Sequence, residues 1–257
     1  MRRSVACSQS CLLLDFDGTL SEIVEDPQSA RVVDGGEALL RRLEDVMGLV
    51  GVVSGRPLSF LEERFPLETH PNLALAGSYG AERVRWRSQE NQEEPQGVDE
   101  QRLDLLKSQL LPLAELGVDV EVKPVSVTLH YRRHPEAEHY VHGAVQRLQR
   151  DLGVFPIMAK CAVEVFVETP PSKGSVVLHW GRGWERVIYI GDDRSDLEAF
   201  DALSELENQG ATVLRIAVVA HGVASILRDR ADFILDDPTH VVQWLSTLEK
   251  LCLAGRH

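Results

Sequence analysis

The sequence predicts an α/β fold: a parallel sheet covered by helices on both faces, interrupted by an inserted α+β domain. Three observations predict it. Short apolar runs end abruptly in polar residues: Leu12-Leu13-Leu14 before Asp15, residues 50–53 before Ser54, and residues 187–190 before Gly191-Asp192. Such unbroken apolar character belongs to strands buried on both faces. Helical patterns lie between the runs, and strands alternating with helices join by right-handed crossovers into a parallel sheet. The middle of the chain instead alternates apolar and polar residues strictly, the mark of an antiparallel sheet with one buried face.

In order, residues 12–14 form the first strand. A helix follows at residues 37–46, with Leu39, Leu40 and Leu43 on its apolar stripe. A strand at 50–53 leads into a helix at 57–65, with Pro57 in its first turn. After Trp86, residues 88–100 hold five acids, no bases, Pro95 and Gly97, and read as a solvated connector. Residues 99–114 then carry Leu103, Leu106, Leu110 and Leu113 at helical spacing. Two strands follow, separated at Pro124: Val118, Val120 and Val122 alternate with Asp119, Glu121 and Lys123, and Val125, Val127, Leu129 and Tyr131 alternate with Ser126, Thr128, His130 and Arg132. The unit repeats as a helix at 135–152, a strand at 154–159 and a strand around Val163, Val165 and Val167.

This twofold helix, strand, strand unit places an α+β cap at residues 86–171, between core segments 1–85 and 172–257. Pro170-Pro171 is the return hinge, and two crossings between domains predict a lid that opens and closes over a site. The core resumes with a helix opened by Lys173-Gly174 and the strand at 187–190. A strand at 213–219, a helix at 223–228, a strand at 233–235 and a helix at 239–251 complete it.

With 257 residues the chain has ample length to bury a core without metal or disulfide staples, and 44% hydrophobic and 26% charged residues exclude wholesale disorder. A net charge of −13 excludes a general nucleic-acid binder, which needs clustered Lys and Arg, but not a locally positive site for a small anion. No apolar run reaches the ~18 residues of a membrane helix, and residues 1–11 lack a signal-peptide pattern, so the expectation is a soluble cytoplasmic protein. Cys7, Cys11, Cys161 and Cys252 form no CxxC pair and read as reduced, mostly buried thiols.

Ligands of parallel α/β sheets bind beyond the carboxyl ends of the strands, where Asp15, Ser54 and Asp192 fall. Asp15 and Asp17, two carboxylates at spacing two, repel unless a divalent cation offsets them, and Asp192, Asp193 and Asp196 follow another buried strand. An oxygen-only ligand set of this kind suits Mg²⁺. Ser54-Gly55-Arg56, between a strand and a helix, offers a hydroxyl and backbone N–H groups to phosphate, and Lys173 adds a point charge. Together these are the parts of phosphoryl transfer through an aspartyl-phosphate.

DFDGTL, SGR, a solitary KG and GDDRSD, in that order, resemble the four motifs of haloacid dehalogenase-like (HAD) phosphatases. The resemblance implies a Rossmann-like HAD core with a C2-type cap. It implies Asp15 as nucleophile, Asp17 as acid and then base, and Ser54, Gly55 and Lys173 as phosphate binders. It also implies Mg²⁺ on Asp15, the Asp17 carbonyl and Asp192, with Asp193, Asp196 and Arg56 supporting. A narrower likeness is to the trehalose-6-phosphate phosphatases. Ser21-Glu22-Ile23 with Asp26-Pro27, residues 77–82, Glu121-Val122-Lys123 with Ser126 and His130-Tyr131-Arg132, and Glu164 resemble that family's segments. Tyr79 stands where the family usually has His, Leu197 where an acid is common, Ser195 for Thr, and Phe166-Val167 where a basic residue and Pro are frequent.

By strand parity Glu121, Lys123, Ser126, His130 and Glu164 share the polar face of the cap sheet, and Glu121, Lys123 and Glu164 are the candidate sugar ligands. Cross-strand ion pairs on a half-exposed sheet would use the same residues. Arg56 equally fits a structural bond to a neighbouring carboxylate, and Asp196 a first-turn helix acid. The reading is a Mg²⁺-dependent trehalose-6-phosphate phosphatase acting on a small sugar phosphate, without nucleic-acid or membrane partners. Sucrose phosphate, mannosyl- or glucosyl-phosphoglycerate and glucosylglycerol phosphate stay open as substrates, as does a non-catalytic partner of a sugar-phosphate synthase.

Overall fold

The computed structural model describes residues 7–85, 99–123, 125–159, 161–168, 170–219 and 225–254. Residues 88–98 of the connector and the first residues of the helix expected at 223 lie outside the described residues. In chain order the elements are β1 (Ser10–Leu14), α1 (Gly36–Val46), β2 (Leu49–Val53), α2 (Leu58–Arg64), β3 (Leu73–Gly77) and β4 (Glu82–Arg85). Next come α3 (Glu100–Leu110), β5 (Asp119–Val122), β6 (Ser126–His130), α4 (Glu138–Leu152), β7 (Phe155–Ala159) and β8 (Ala162–Phe166). The chain ends with α5 (Lys173–Gly181), β9 (Arg186–Gly191), α6 (Asp196–Asn208), β10 (Thr212–Val218), α7 (Ser225–Arg230), β11 (Phe233–Leu235) and α8 (Pro238–Ala254).

These elements divide into two compact units, Met1–Glu93 with Pro171–His257 and Glu94–Pro170. The first unit holds a seven-stranded sheet in the order β11-β10-β9-β1-β2-β3-β4, parallel except for β4, which runs antiparallel to β3. β1 is buried along its whole length, and its side chains alternate between two cores. Leu12 and Leu14 pack with Leu39, Leu40 and Leu43 of α1 and Val241 and Leu245 of α8. Cys11 and Leu13 pack with Val176 and Trp180 of α5 and Phe200 and Leu203 of α6. Helices therefore cover both faces, which is why the strand reads as an unbroken apolar run. From β1 the chain steps outward through β2 and β3 on one side, and after the second unit it returns with β9 on the other side of β1 and steps outward through β10 and β11. The strand ends there form a topological switch point, the usual ligand crevice of such sheets.

The second unit is a four-stranded antiparallel sheet, β5-β6-β8-β7, with Val127, Leu129, Val163 and Val165 packed against Leu103, Leu106 and Leu110 of α3 and Val141, Val145 and Leu148 of α4. Glu121, Thr128 and Glu164 are register partners across β5, β6 and β8, so they share the other face. Phe155, Ile157 and Phe166 share it too, so that face is mixed rather than uniformly polar.

Two expectations are corrected. The helix at 99–114 ends at Leu110 and tightens into a 3₁₀ turn over Leu111–Leu116, because Pro112 has no N–H to continue the α pattern. The cysteines are not all free thiols. Cys7 and Cys252 form a disulfide across 245 residues of sequence, with Cα atoms 5.5 Å apart; Cys11 and Cys161 remain thiols. Among the described residues no helix is long and apolar enough to cross a membrane.

Candidate active site

The site forms where β1, β2 and β9 end side by side. Asp15 follows β1 directly; its N–H donates to the Ile190 carbonyl at 2.9 Å, which extends the β1–β9 pairing by one residue. Its carboxylate is buried, accepting from the Phe16 N–H at 2.7 Å through Oδ1 and meeting Lys173 Nζ at 2.8 Å through Oδ2. The following loop is tight: the N–H groups of Thr19, Leu20 and Ser21 converge on the Phe16 carbonyl, and Gly18 takes φ +72°. Phe16 anchors it, with its ring edge-on to Phe60 and Phe65. This turn brings Asp17 out toward solvent, where Arg56 grips both carboxylate oxygens at 2.7 Å. Arg56 in turn lies over the Phe60 ring. The reading of Arg56 as a partner of a neighbouring carboxylate describes this contact.

Ser54 is buried after β2, and its hydroxyl accepts from the Arg56 N–H at 3.2 Å. Gly55 lies under Tyr79, so closely that a Cβ at Gly55 would sit 2.7 Å from the tyrosine Cζ. Lys173 is the first residue of α5, which Ser172 caps by accepting from the Ser175 N–H at 3.0 Å. Its ammonium is buried and bridges Asp15, at 2.8 Å, and Asp196, at 2.7 Å, with Asp193 3.8 Å away. Burial alone would pull this amine down, but the carboxylates of Asp15, Asp196 and Asp193 outweigh it and hold the pKa above the ordinary lysine value.

Asp196 is the hub of the acidic loop. It accepts from Lys173, from the Tyr189 hydroxyl at 2.7 Å and from the N–H groups of Asp192 and Asp193 at 2.9 Å. Gly191 makes this possible, since a Cβ there would lie 2.3 Å from the Asp196 carboxyl carbon. Asp193 is half exposed and takes both the N–H and the hydroxyl of Ser195. Asp192 is buried. Burial, with Asp196 and Asp193 adding repulsion, pushes its carboxyl up to about 7. Burial likewise raises Asp15 well above the carboxylate range, with Lys173 opposing and Asp196 and Asp192 adding.

These observations test whether a cation fits. Asp15, Asp193 and Asp196 approach within 4.8 Å of one another, but the Lys173 ammonium already lies among them. Asp192 differs: its Oδ1 is buried without a hydrogen-bond partner, and its carboxyl faces that of Asp15. Two buried carboxyls whose ionisation is disfavoured, one with an orphaned oxygen, fit a hard divalent cation taken by oxygen ligands, as Mg²⁺ is. The pocket above them has a volume of about 450 Å³; besides the acids, Ser54, Arg56 and Lys173, it is lined by Ile23, Val24, Pro27 and Tyr79.

Sequence reasoning missed Tyr189. An aromatic inside an apolar strand reads as core, yet its buried hydroxyl donates to Asp196. It also missed Thr19, whose buried Oγ1 has no hydrogen-bond partner.

In the second unit, Lys123 Nζ donates to Glu164 Oε1 at 3.0 Å, and the buried Ser126 hydroxyl donates to the same oxygen at 2.6 Å. Glu121 Oε2 lies 3.1 Å from His130 Nε2. Five polar residues of that face are thus tied to one another, while Thr128, buried in the row between Glu121 and Glu164, keeps an Oγ1 without a partner.

A family model described as trehalose-phosphatase matches residues 13–229. An uncharacterized glycosyl hydrolase of Mycobacterium tuberculosis is 33% identical over 270 residues, covering 96% of this chain and 19% of that protein. The trehalose-phosphate phosphatase of Mycobacterium avium is 31% identical over 250 residues, covering 92% of this chain and 61% of its own length. The chain therefore spans about a fifth of the first relative and three-fifths of the second. In structure, the trehalose-6-phosphate phosphatase of Aspergillus fumigatus aligns with a TM-score of 0.75 at 24% identity, covering 97% of each chain, which is a likeness of fold. A haloacid dehalogenase-like hydrolase from Bacteroides thetaiotaomicron shares the fold as well, with a TM-score of 0.64.

Proposed function

The chain belongs to the trehalose-phosphatase family, and from that premise we propose that it hydrolyses trehalose 6-phosphate to trehalose and phosphate through a phosphoryl group carried on Asp15. The observation that carries the reading is the unequal setting of two carboxylates two residues apart. Asp15 is buried against Lys173, whereas the Asp17 side chain is about a third exposed and held by Arg56. Lys173, with a cation at Asp192, offsets the cost of charge on buried Asp15, and Asp17 reaches the open side of the pocket where the leaving oxygen and water arrive.

In the first step an Asp15 oxygen attacks phosphorus, the bond from phosphorus to the sugar oxygen breaks, and Asp17 gives that oxygen its proton. In the second, Asp17 takes a proton from water as the water oxygen attacks phosphorus and the bond to Asp15 breaks, releasing phosphate. Lys173 keeps Asp15 oriented and offsets phosphate charge, and Asp196 with Tyr189 fixes Lys173. The Ser54 hydroxyl and the Gly55 N–H hold the phosphoryl oxygens. The Asp15 carboxylate, the Asp17 carbonyl and Asp192 would hold Mg²⁺, with Asp193 supporting. Bound there, the ion supplies charge neutralisation for the carboxylates and the phosphate. We assign sugar recognition in the cap to Glu121, Lys123 and Glu164.

The test is phosphate release from trehalose 6-phosphate, sucrose phosphate, glucosyl- and mannosyl-phosphoglycerate and glucosylglycerol phosphate, with Asp15→Asn as control. Trehalose 6-phosphate should be turned over fastest, and only by the wild type. Turnover that survives Asp15→Asn refutes the nucleophile; a different preferred ester refutes the sugar.

A further inference from the structure

Three consecutive residues above the phosphate loop have left-handed backbone: Ser78 at φ 48°, Tyr79 at φ 57° and Gly80 at φ 97°. Glycine adopts this conformation freely, but an L-residue with a side chain pays about 1–2 kcal/mol for it. The surroundings enforce it. The Ser78 N–H donates to the Arg56 carbonyl at 2.7 Å, the Tyr79 N–H to the Ser54 carbonyl at 2.9 Å, and the Ser78 hydroxyl to Glu82. The turn is thus fastened to the loop of residues 54–56, and the phenol ring is laid on Gly55.

Core burial does not account for this arrangement, because Tyr79 remains 46% exposed. Its ring lines the pocket that holds Asp15 and Lys173, and Ile23, 71% exposed, and Pro27 line it as well. The pocket therefore has a charged floor and an apolar rim with one aromatic ring. A phosphate group has no use for an apolar rim. The group esterified to it does when, like a pyranose, it has an apolar C–H face and a hydroxylated edge. A tyrosine suits both, with ring face for the C–H groups and hydroxyl for the edge. Backbone strain held at such a place is characteristic of binding sites.

We propose that Tyr79 is a specificity-determining residue that packs on the sugar ring bearing the phosphate, so that the core selects its substrate as well as cleaving it. This rests on the sugar-phosphatase reading above. The test compares kcat/KM for trehalose 6-phosphate with kcat/KM for acetyl phosphate, a substrate without a sugar, in wild type, Tyr79→Phe and Tyr79→Asn. Asparagine tolerates the left-handed conformation, so it removes the ring without adding backbone cost. The ratio should fall about tenfold in Tyr79→Asn, equivalent to about 1.4 kcal/mol, and less in Tyr79→Phe, which keeps the ring. An unchanged ratio in Tyr79→Asn, whether both activities fall together or neither moves, overturns the proposal alone. A wild type that cleaves acetyl phosphate but no sugar phosphate overturns the sugar-phosphatase reading and this proposal with it.

Discussion

Replacing Gly18 by alanine separates two demands that the loop after β1 places on one residue. Gly18 has φ +72°, and a Cβ there would lie 2.1 Å from Asp192 Oδ2 and 2.3 Å from its carboxyl carbon. Ordinary contact begins at 3.4 Å, so the Asp192 carboxylate must retreat by about 1.3 Å, and a misplacement of about 1 Å in a catalytic constellation costs ~10²-fold in rate. The left-handed backbone adds about 1–2 kcal/mol of instability that has nothing to do with Asp192. Gly35 supplies the control: it has φ +80°, caps α1, and has nothing within 4 Å of an added Cβ. Gly35→Ala should lose comparable stability and keep activity. Gly18→Ala should lose about 10²-fold in kcat and need more Mg²⁺ to reach half-maximal rate. Thermal melts and phosphate release across a Mg²⁺ titration read both. Wild-type rate and Mg²⁺ dependence in a folded Gly18→Ala would refute the argument that this close approach positions Asp192.

Other consequences follow from the same contacts. Asp192 is pushed up to about 7 by burial and its acidic neighbours, so between the ordinary carboxylate pKa and about 7 the metal-free folded state keeps a proton that the unfolded state has released. Stability of the metal-free protein should therefore fall as pH rises through that window, and melts in chelator at about pH 5 and about pH 8 should show a smaller fall in Asp192→Asn; an equal fall contradicts the assignment. Cys252→Ser should cost about 2–4 kcal/mol in urea unfolding, matched by wild type in reductant, because the Cys7–Cys252 link constrains nearly the whole unfolded chain; melts indifferent to reductant would contradict it. Lys123→Met removes the partner of Glu164 and the donor proposed for a sugar hydroxyl, and should raise KM for the sugar phosphate about tenfold with kcat little changed; an effect on kcat alone would place Lys123 outside sugar recognition.

The parallel core was legible because its central strands are buried on both faces and therefore write unbroken apolar runs, each stopped by the residue the site uses: Asp15, Ser54 and Asp192. The second sheet was legible for the opposite reason, since one covered face imposes strict alternation on residues 118–131. What stayed hidden depends on distant partners. The pairing of Cys7 with Cys252 spans 245 residues and leaves no local trace. Tyr189 reads as core because its aromatic body is core, and only the fold puts its hydroxyl against Asp196. β4 escaped notice as a short antiparallel edge strand rich in charge. The left-handed turn at Ser78 and Tyr79 gave no signal because neither residue type announces positive φ, and the hydrogen bonds that enforce it come from residues 54 and 56. Within the site, the sequence named the acids, but the division of labour among them came from geometry. Asp196 collects four donors, Asp17 is gripped by Arg56, and Asp192 keeps an orphaned oxygen.

The most direct test of the covalent role proposed for Asp15 is chemical trapping. Protein quenched in acid during turnover of trehalose 6-phosphate, then reduced with borohydride, should carry homoserine at position 15, the product of a reduced acyl phosphate. With acetyl phosphate, whose acetate leaving group needs no proton from Asp17, the yield should rise in Asp17→Asn, where attack by water is slowed. Homoserine at another position, or its absence from position 15 while phosphate is being released, would contradict the account.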